Sequence, residues 1–165
     1  MHEQSKGPNS GTEAMEINTA APVISRDEIL IHARIETIWG IQTDITAWPS
    51  WQPDVDGAKA DGPLEVGSVF RWQTAGLDIT STVREADVPH RIVWSGHAQG
   101  IVAVHVWTLD PQEDGVLVRT EESWEGDPVN AQVEMLQRAL DGSLRNWLEN
   151  LKRAAEDSVG HTTRQ

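Results

Sequence analysis

The sequence predicts an α+β domain in which an antiparallel sheet is followed by one long C-terminal helix. Between about residues 55 and 125, β-prone segments alternate with turn signals such as Asp61-Gly62-Pro63, Ala75-Gly76 and Gln99-Gly100. This alternation is typical of consecutive hairpins. After residue 127 the apolar residues instead recur every three or four positions, which is the spacing of one helical face.

Composition and charge narrow the possible partners. The 165-residue chain has 13 Lys and Arg against 26 Asp and Glu, giving a formal net charge of −13. Such a charge repels phosphate backbones and anionic headgroups, so no nucleic acid partner is expected. The chain has no Cys, no apolar leader in MHEQSKGPNSGTEAME, and no run near the ~18 apolar residues of a membrane span. We expect a cytoplasmic protein without a membrane span, either a monomer or a homodimer.

The chain is expected to contain one domain between two tails. Residues 1–24 are rich in polar residues, Gly and Pro, and a segment that cannot bury apolar surface stays disordered. The folded domain is predicted over residues 25–157, and residues 158–165 are predicted to be a flexible C-terminal tail.

Two short helices are predicted after a first strand at residues 28–33. Ile35, Ile38, Trp39 and Gln42 have the i, i+3, i+4, i+7 spacing of one helical face. The next stretch, DITAWPSWQPDV, has a proline beside each tryptophan. A proline disfavours helix in the residue before it, so any helix here is limited to a turn or two.

The terminal helix is predicted to run from Asp127 to about residue 157. Asp127 is suited to the N-cap and Pro128 to the first helical position. Asp141-Gly142 marks a point where the helix could bend, because glycine weakens a helix interior. The apolar stripe consists of Val129, Val133, Leu136, Leu140, Leu144, Trp147, Leu148 and Leu151.

Strand registers follow from the turns, because paired residues in an antiparallel ladder keep a constant sum of residue numbers and share a face. The predictions take Gln112–Gly115 as a four-residue loop, with tight turns at Gln99-Gly100 and Ala75-Gly76. The predicted pairs are Leu109 with Val118, Trp107 with Thr120, His105 with Glu122, Ala103 with Trp124, Ile92 with Trp107, Trp94 with His105, Gly96 with Ala103, Thr74 with Leu77, Trp72 with Ile79, and Phe70 with Ser81.

The resulting inner face is apolar with a few polar groups, which is typical of a small-molecule pocket. His105 and Glu122 are the candidate catalytic residues. A buried carboxylate costs several kcal/mol unless it is paired or protonated, so a purely structural His105 and Glu122 pair is the alternative. The candidate ligand-binding residues are Trp48, Trp51, Phe70, Trp72, Ser81, Trp94, Trp107, Thr120 and Trp124. The alternative for the large apolar side chains is that they only fill the core.

The order of elements resembles the SRPBCC superfamily, and its polyketide cyclase/dehydrase-like branch in particular, over about residues 25–157. The segments that carry the resemblance are IHARIETIWGIQTDITAWPSWQPDV, ADGPLEVGSVFRWQTAGLDITSTV, VPHRIVWSG, VHVWTL and VRTEESWEG. The resemblance implies a helix-grip fold, with a curved seven-stranded antiparallel sheet around the long helix and a deep hydrophobic cavity between them. It also implies that Trp48 and Trp51 form the lid and end wall of that cavity, the alternative being that they fill the core.

Three functions stay open at this point. The first is binding of a hydrophobic, aromatic or polycyclic small molecule. The second is a polyketide cyclase/dehydratase-type reaction, in which His105 moves protons, Glu122 sets its tautomer and Ser81 binds a substrate oxygen. The third is a cochaperone-like protein-interaction module. No histidine spacing typical of metal ligands and no phosphate-binding glycine loop is present, so no metal and no cofactor is expected.

Overall fold

The protein is described from a computed structural model, which covers residues 15–163 and the side chains of residues 15–158. Seven strands form one antiparallel sheet in the order β1-β7-β6-β5-β4-β3-β2. The strands are β1 (Val23–Ile31), β2 (Val55–Ala60), β3 (Val69–Thr74), β4 (Leu77–Asp87), β5 (Arg91–Ala98), β6 (Ile101–Gln112) and β7 (Gly115–Glu125). The helices are α1 (Ile35–Thr43), α2 (Trp48–Trp51), α3 (Asp127–Asn130) and α4 (Val133–Thr163), and a 3-10 turn at Ile45–Ala47 precedes α2.

This arrangement confirms the predicted α+β helix-grip fold. The long helix α4 packs mainly against β1 and also contacts β7, α1 and α2. The two short helices follow β1, as predicted. In α1, Ile38 and Gln42 are fully buried, while Ile35 and Trp39 are partly buried against the core.

The predicted registers of all three hairpins are confirmed. Trp94 pairs with His105, His105 pairs with Glu122, and Trp72 pairs with Ile79. The loop between β6 and β7 is shorter than predicted, because the ladder continues to the Gln112 and Gly115 pair. Only residues 113 and 114 form that turn, which leaves the register unchanged.

The start of the terminal helix differs from the prediction. Asp127 is the first residue of α3 rather than its N-cap, and the cap residue is Gly126 with φ 127°. A Cβ at Gly126 would lie 2.1 Å from the backbone oxygen of Gly100, so the chain can turn sharply here only because this residue is glycine. A turn at residues 131–132 separates α3 from α4, which is continuous through Gly142 and ends at Thr163, beyond the predicted end at residue 157.

The predicted N-terminal tail is wrong for residues 15–24. Ile17 is 5% exposed and packs on the outer face of the sheet in a cluster with Val93, Val104 and Val106. Asn18 anchors the segment, with its backbone N–H donating to Ser123 Oγ at 3.0 Å. One buried isoleucine leaves no periodic pattern, so the sequence did not reveal this contact. The first 14 residues of the predicted tail lie outside the described residues, as do residues 164 and 165 of the C-terminal one.

Candidate functional site

A cavity of about 910 Å³ lies between α4 and the inner face of the sheet. Four tryptophans from different elements border it, namely Trp72 on β3, Trp94 on β5, Trp124 on β7 and Trp147 on α4. Aliphatic side chains such as Leu77, Ile79, Ile101 and Leu136 complete the apolar wall. The volume lies within the ~300–1,000 Å³ range of small-molecule sites.

His105 and Glu122 lie side by side on this wall because their strands pair at these two residues. His105 Nδ1 lies 3.4 Å from Glu122 Oε1, and the two side chains are 7% and 14% exposed. His105 Nε2 lies 2.7 Å from Thr120 Oγ1. Trp124 Nε1 donates to Glu122 Oε2 at 3.0 Å. A contact series thus runs from the Thr120 hydroxyl through the imidazole to a carboxyl at the cavity surface.

Burial determines the protonation states of His105 and Glu122. Desolvation lowers the pKa of His105 to about 3. Desolvation also raises the pKa of Glu122 to about 7, against the smaller opposite effect of the Trp124 hydrogen bond. His105 is therefore a neutral imidazole at neutral pH rather than the partner of an ion pair, and Glu122 is the group that exchanges a proton near pH 7. This reverses the roles predicted from an imidazole of ordinary pKa.

The protonation of Glu122 and the tautomer of His105 are coupled by these contacts. An ionised Glu122 favours a proton on Nδ1, with Nε2 accepting from the Thr120 hydroxyl. A protonated Glu122 favours the other tautomer, in which Nε2 donates to Thr120 Oγ1. The charge of Glu122 therefore influences which ring nitrogen of His105 carries the proton.

Ser81 borders the same cavity but is only 1% exposed. Its Oγ accepts a hydrogen bond from Trp72 Nε1 at 3.2 Å. Gly96 on the neighbouring strand leaves room for this contact, because a Cβ there would lie 3.0 Å from Ser81 Oγ. The predicted role of Ser81 toward a substrate oxygen would therefore compete with its role in orienting Trp72.

The structure places five predicted ligand-binding residues outside the cavity lining. Trp48, Phe70, Trp107 and Thr120 are at most 1% exposed, and Trp51 is partly buried against the same core. The ring of Trp48 lies 5.0 Å from that of Trp147 and 5.7 Å from that of Phe70. The predicted cavity wall at Trp48 and Trp51 is thus wrong, because α2 packs these indoles into a solid end of the domain. Six predicted residues do line the cavity, namely Trp72, Ser81, Trp94, His105, Glu122 and Trp124.

Sequence reasoning missed part of the contribution of α4 to the lining. Leu136 and Trp147 belong to the predicted apolar stripe, but Ala139, Ser143 and Asn146 follow each other at spacings of four and three, so they share a face beside that stripe. The spacing could have identified this face from the sequence, but its mixture of polar and apolar residues is also typical of a solvent-exposed surface.

The open side of the cavity has small residues on α4. Ala139 and Gly142 line the cavity and are exposed. A Cβ built at Gly142 meets no atom within 4 Å. At the rim, Asn146 Nδ2 donates to Asp54 Oδ2 at 2.6 Å, which ties α4 to the loop before β2. Gly142 is therefore a position on the exposed side of the cavity where a larger side chain has room to be added.

Fold and cavity together define a helix-grip protein with an internal cavity of small-molecule size. The family model for polyketide cyclase/dehydrase and lipid transport matches residues 22–156, so the chain belongs to this family within the START-like SRPBCC superfamily. None of the curated proteins compared with the chain matches it.

Three solved structures illustrate the likeness. A hypothetical protein from Helicobacter pylori is 18% identical with a TM-score of 0.76, covering 87% of this chain and 98% of that one. A START superfamily protein from Mycobacterium smegmatis is 17% identical with a TM-score of 0.71, covering 81% and 97%. An aromatase/cyclase from a Streptomyces species is 14% identical with a TM-score of 0.72, covering 82% and 94%. At these identities the likeness establishes the fold.

Two further properties concern the described part of the chain. None of its helices combines the length and apolar content needed to cross a membrane. Within the same residues, no three His, Asp or Glu side chains are grouped so that they could hold a metal ion.

Proposed function

We propose that this protein binds a hydrophobic, aromatic or polycyclic small molecule between the sheet and α4. The observation that carries the proposal is the cavity of about 910 Å³ with four tryptophans in its wall. A solid core of this composition would close around those rings, because protein interiors pack to the density of organic crystals. Membership of a family named for polyketide chemistry and lipid transport supports the same function.

The tryptophans suit a flat apolar ligand. An indole offers a large rigid surface at low entropic cost, and stacked or edge-to-face aromatic contacts add about 0.5–1.5 kcal/mol each beyond burial. Two of the four indole N–H groups are already bound within the protein, Trp72 to Ser81 and Trp124 to Glu122. Those two rings therefore offer the ligand mainly hydrocarbon.

Binding can be tested with the neutral fluorescent compound 1-pyrenemethanol. Tryptophan emission overlaps pyrene absorption, so a pyrene bound beside Trp72 and Trp147 should quench the tryptophan signal by energy transfer. We expect saturable quenching with the wild type and at least a tenfold loss of affinity in Gly142→Trp, whose new side chain would occupy the open side of the cavity.

Glu134→Trp is the matched control, because it adds an indole to the same helix at an exposed position that does not line the cavity. Equal loss in both variants, or saturable binding that Gly142→Trp leaves intact, would show that the compound does not enter the cavity. Native mass spectrometry of the purified full chain should independently show a co-purifying organic molecule.

Catalysis of a cyclase/dehydratase type is the second candidate, favoured by the Glu122, His105 and Thr120 contact series. A carboxyl with a pKa near 7 can take a proton from carbon beside a carbonyl and deliver it to a departing hydroxyl. In this mechanism Glu122 is the acid and base, and His105 is a positioning residue that accommodates the proton shift. Glu122→Gln would abolish turnover of a β-hydroxy ketone, whereas His105→Gln would slow it and move its pH profile. Equal rates for wild type and Glu122→Gln would exclude the mechanism.

A further inference from the structure

Apart from the imidazoles of His97 and His105, the ionisable side chains that line the cavity in the described part of the chain are all acidic. Among the described residues, the lining contains the carboxyl groups of Glu122 and Asp54 and no Lys or Arg. An anionic ligand group would therefore enter a poorly hydrated space without a counter-charge, which strongly disfavours binding. The formal net charge of −13 opposes the same ligands at long range.

Glu122 lacks a positive partner in its surroundings. Its carboxyl receives the Trp124 N–H and lies beside His105, whose burial keeps the imidazole neutral by lowering its pKa to about 3. No Lys or Arg makes an ion pair with it among the described residues. A cation brought in by a ligand would supply the missing charge and stabilise the carboxylate form.

One aromatic ring contacts this carboxyl, and a second lies beyond His105 on the same wall. The Trp124 indole is hydrogen bonded to it, and the Trp94 ring centroid lies 5.6 Å from that of His105 on the next strand. Indole faces attract ammonium groups through the ring quadrupole, and this attraction is strongest where water is excluded. A neutral ligand needs no carboxylate at this position, since an amide would hydrogen bond to it equally well.

We propose that the cavity takes a hydrophobic amine, whose protonated nitrogen binds Glu122 beside Trp124 and whose apolar body lies against Trp72, Trp94 and Trp147. This inference rests on the proposed function, of which it specifies the ligand class. The ammonium contributes an ion pair with Glu122 and a cation–π contact with the Trp124 indole, while the ring system contributes apolar burial.

The test uses three compounds that share one ring system and differ in charge, 1-pyrenemethylamine, 1-pyrenemethanol and 1-pyrenecarboxylate. Affinities are measured on the full chain at pH 7.5 by energy transfer from tryptophan and by calorimetry. We expect the amine to bind at least tenfold more tightly than the alcohol, and the carboxylate to bind more weakly than either. An alcohol or carboxylate that binds as tightly as the amine would overturn the inference and leave the proposed function intact.

Two variants then test which carboxyl group binds the amine. Glu122→Gln should lower the affinity for the amine about tenfold more than it lowers the affinity for the alcohol. Glu121→Gln is the matched control, because it removes the same charge from the adjacent position of β7, where Glu121 contacts Arg26 outside the cavity. An equal loss of amine affinity in both variants would overturn the inference, since general attraction to an acidic protein would explain it.

Gly142→Trp and added salt distinguish binding in the cavity from adhesion of the amine to the acidic surface. Binding in the cavity should be lost in Gly142→Trp and should persist in about 0.5 M salt, where the attraction between exposed charges is screened. The opposite pattern would overturn the inference. Failure of all three compounds to bind would overturn it too, and the proposed function would then depend on the co-purifying molecule.

Discussion

The space between the sheet and α4 has a packed end and an open end, both built from tryptophan. At the packed end, the Trp48 ring lies 5.0 to 5.8 Å from four aromatic neighbours, namely Phe70, Trp72, Trp94 and Trp147. At the open end, Trp124 is only partly buried and borders the cavity, and Trp72, also partly buried, reaches the cavity from the packed end. The same type of side chain therefore fills the core where neighbours enclose it and lines the cavity where they do not.

What differs is the element facing the indoles. Helix α2 closes the packed end, and the Trp48 N–H donates to the Gln42 backbone oxygen at 2.9 Å. At the open end, α4 presents Ala139 and Gly142 instead. A missing side chain on the helix therefore helps to create the cavity, which no feature of the sheet alone would indicate.

The largest expected effect contrasts the two ends directly. Trp48→Ala should lower the free energy of unfolding by about 3–5 kcal/mol, as for other fully buried large side chains. Trp72→Ala should cost only about 1–2 kcal/mol, because its ring already borders open space. Urea denaturation checks both values. Equal losses would mean that the open end is packed as tightly as the closed one.

A second prediction concerns pH and the polar pair. Burial raises the pKa of Glu122 from 4.5 to about 7, so the folded chain binds more protons than the unfolded chain between these values, and stability falls as pH rises through that window. Glutamine carries no charge. The free energy of unfolding of Glu122→Gln should therefore exceed that of the wild type by up to about 3 kcal/mol above pH 7, and by little below pH 4.5.

The difference in unfolding free energy between the wild type and Glu122→Gln isolates the effect of Glu122 from that of other titrating groups. Chemical denaturation from pH 4 to 8 measures this difference. His105 acts in the opposite direction, because its lowered pKa makes stability rise with pH between about 3 and 6.5 in both proteins. A stability difference that stays constant across pH would show that Glu122 titrates normally.

The smallest effect sharpens the role of residue 142. Gly142→Ala should raise the free energy of unfolding by about 0.5–1 kcal/mol, because glycine costs that much in a helix interior and the added methyl meets no atom. Ala139→Gly, on the same exposed flank, should lose a similar amount. Thermal unfolding of both variants checks this, and destabilisation by Gly142→Ala would mean that the helix is strained at this position.

Sequence patterns were sufficient for the registers of three hairpins of the sheet. The position of each turn fixes which residues pair across its hairpin. The predicted pairs put Trp94, His105 and Glu122 side by side on adjacent strands, as the structure has them. Alternation of side chains in strands then decided which residues share a face. These are local rules, and each hairpin obeys them without reference to the rest of the chain.

Contacts between segments that are distant in the chain could not be predicted from these local rules. The sequence determined the order of the main elements, the registers of three hairpins and the polar pair on the inner face. Only the tertiary structure decided that Trp48 fills a core while Trp124 lines a cavity, that Glu122 rather than His105 titrates near neutrality, and that Ile17 covers the outer face. The physical reason is that burial, and with it packing and pKa, depends on what lies opposite a side chain, which is set by elements far away along the chain.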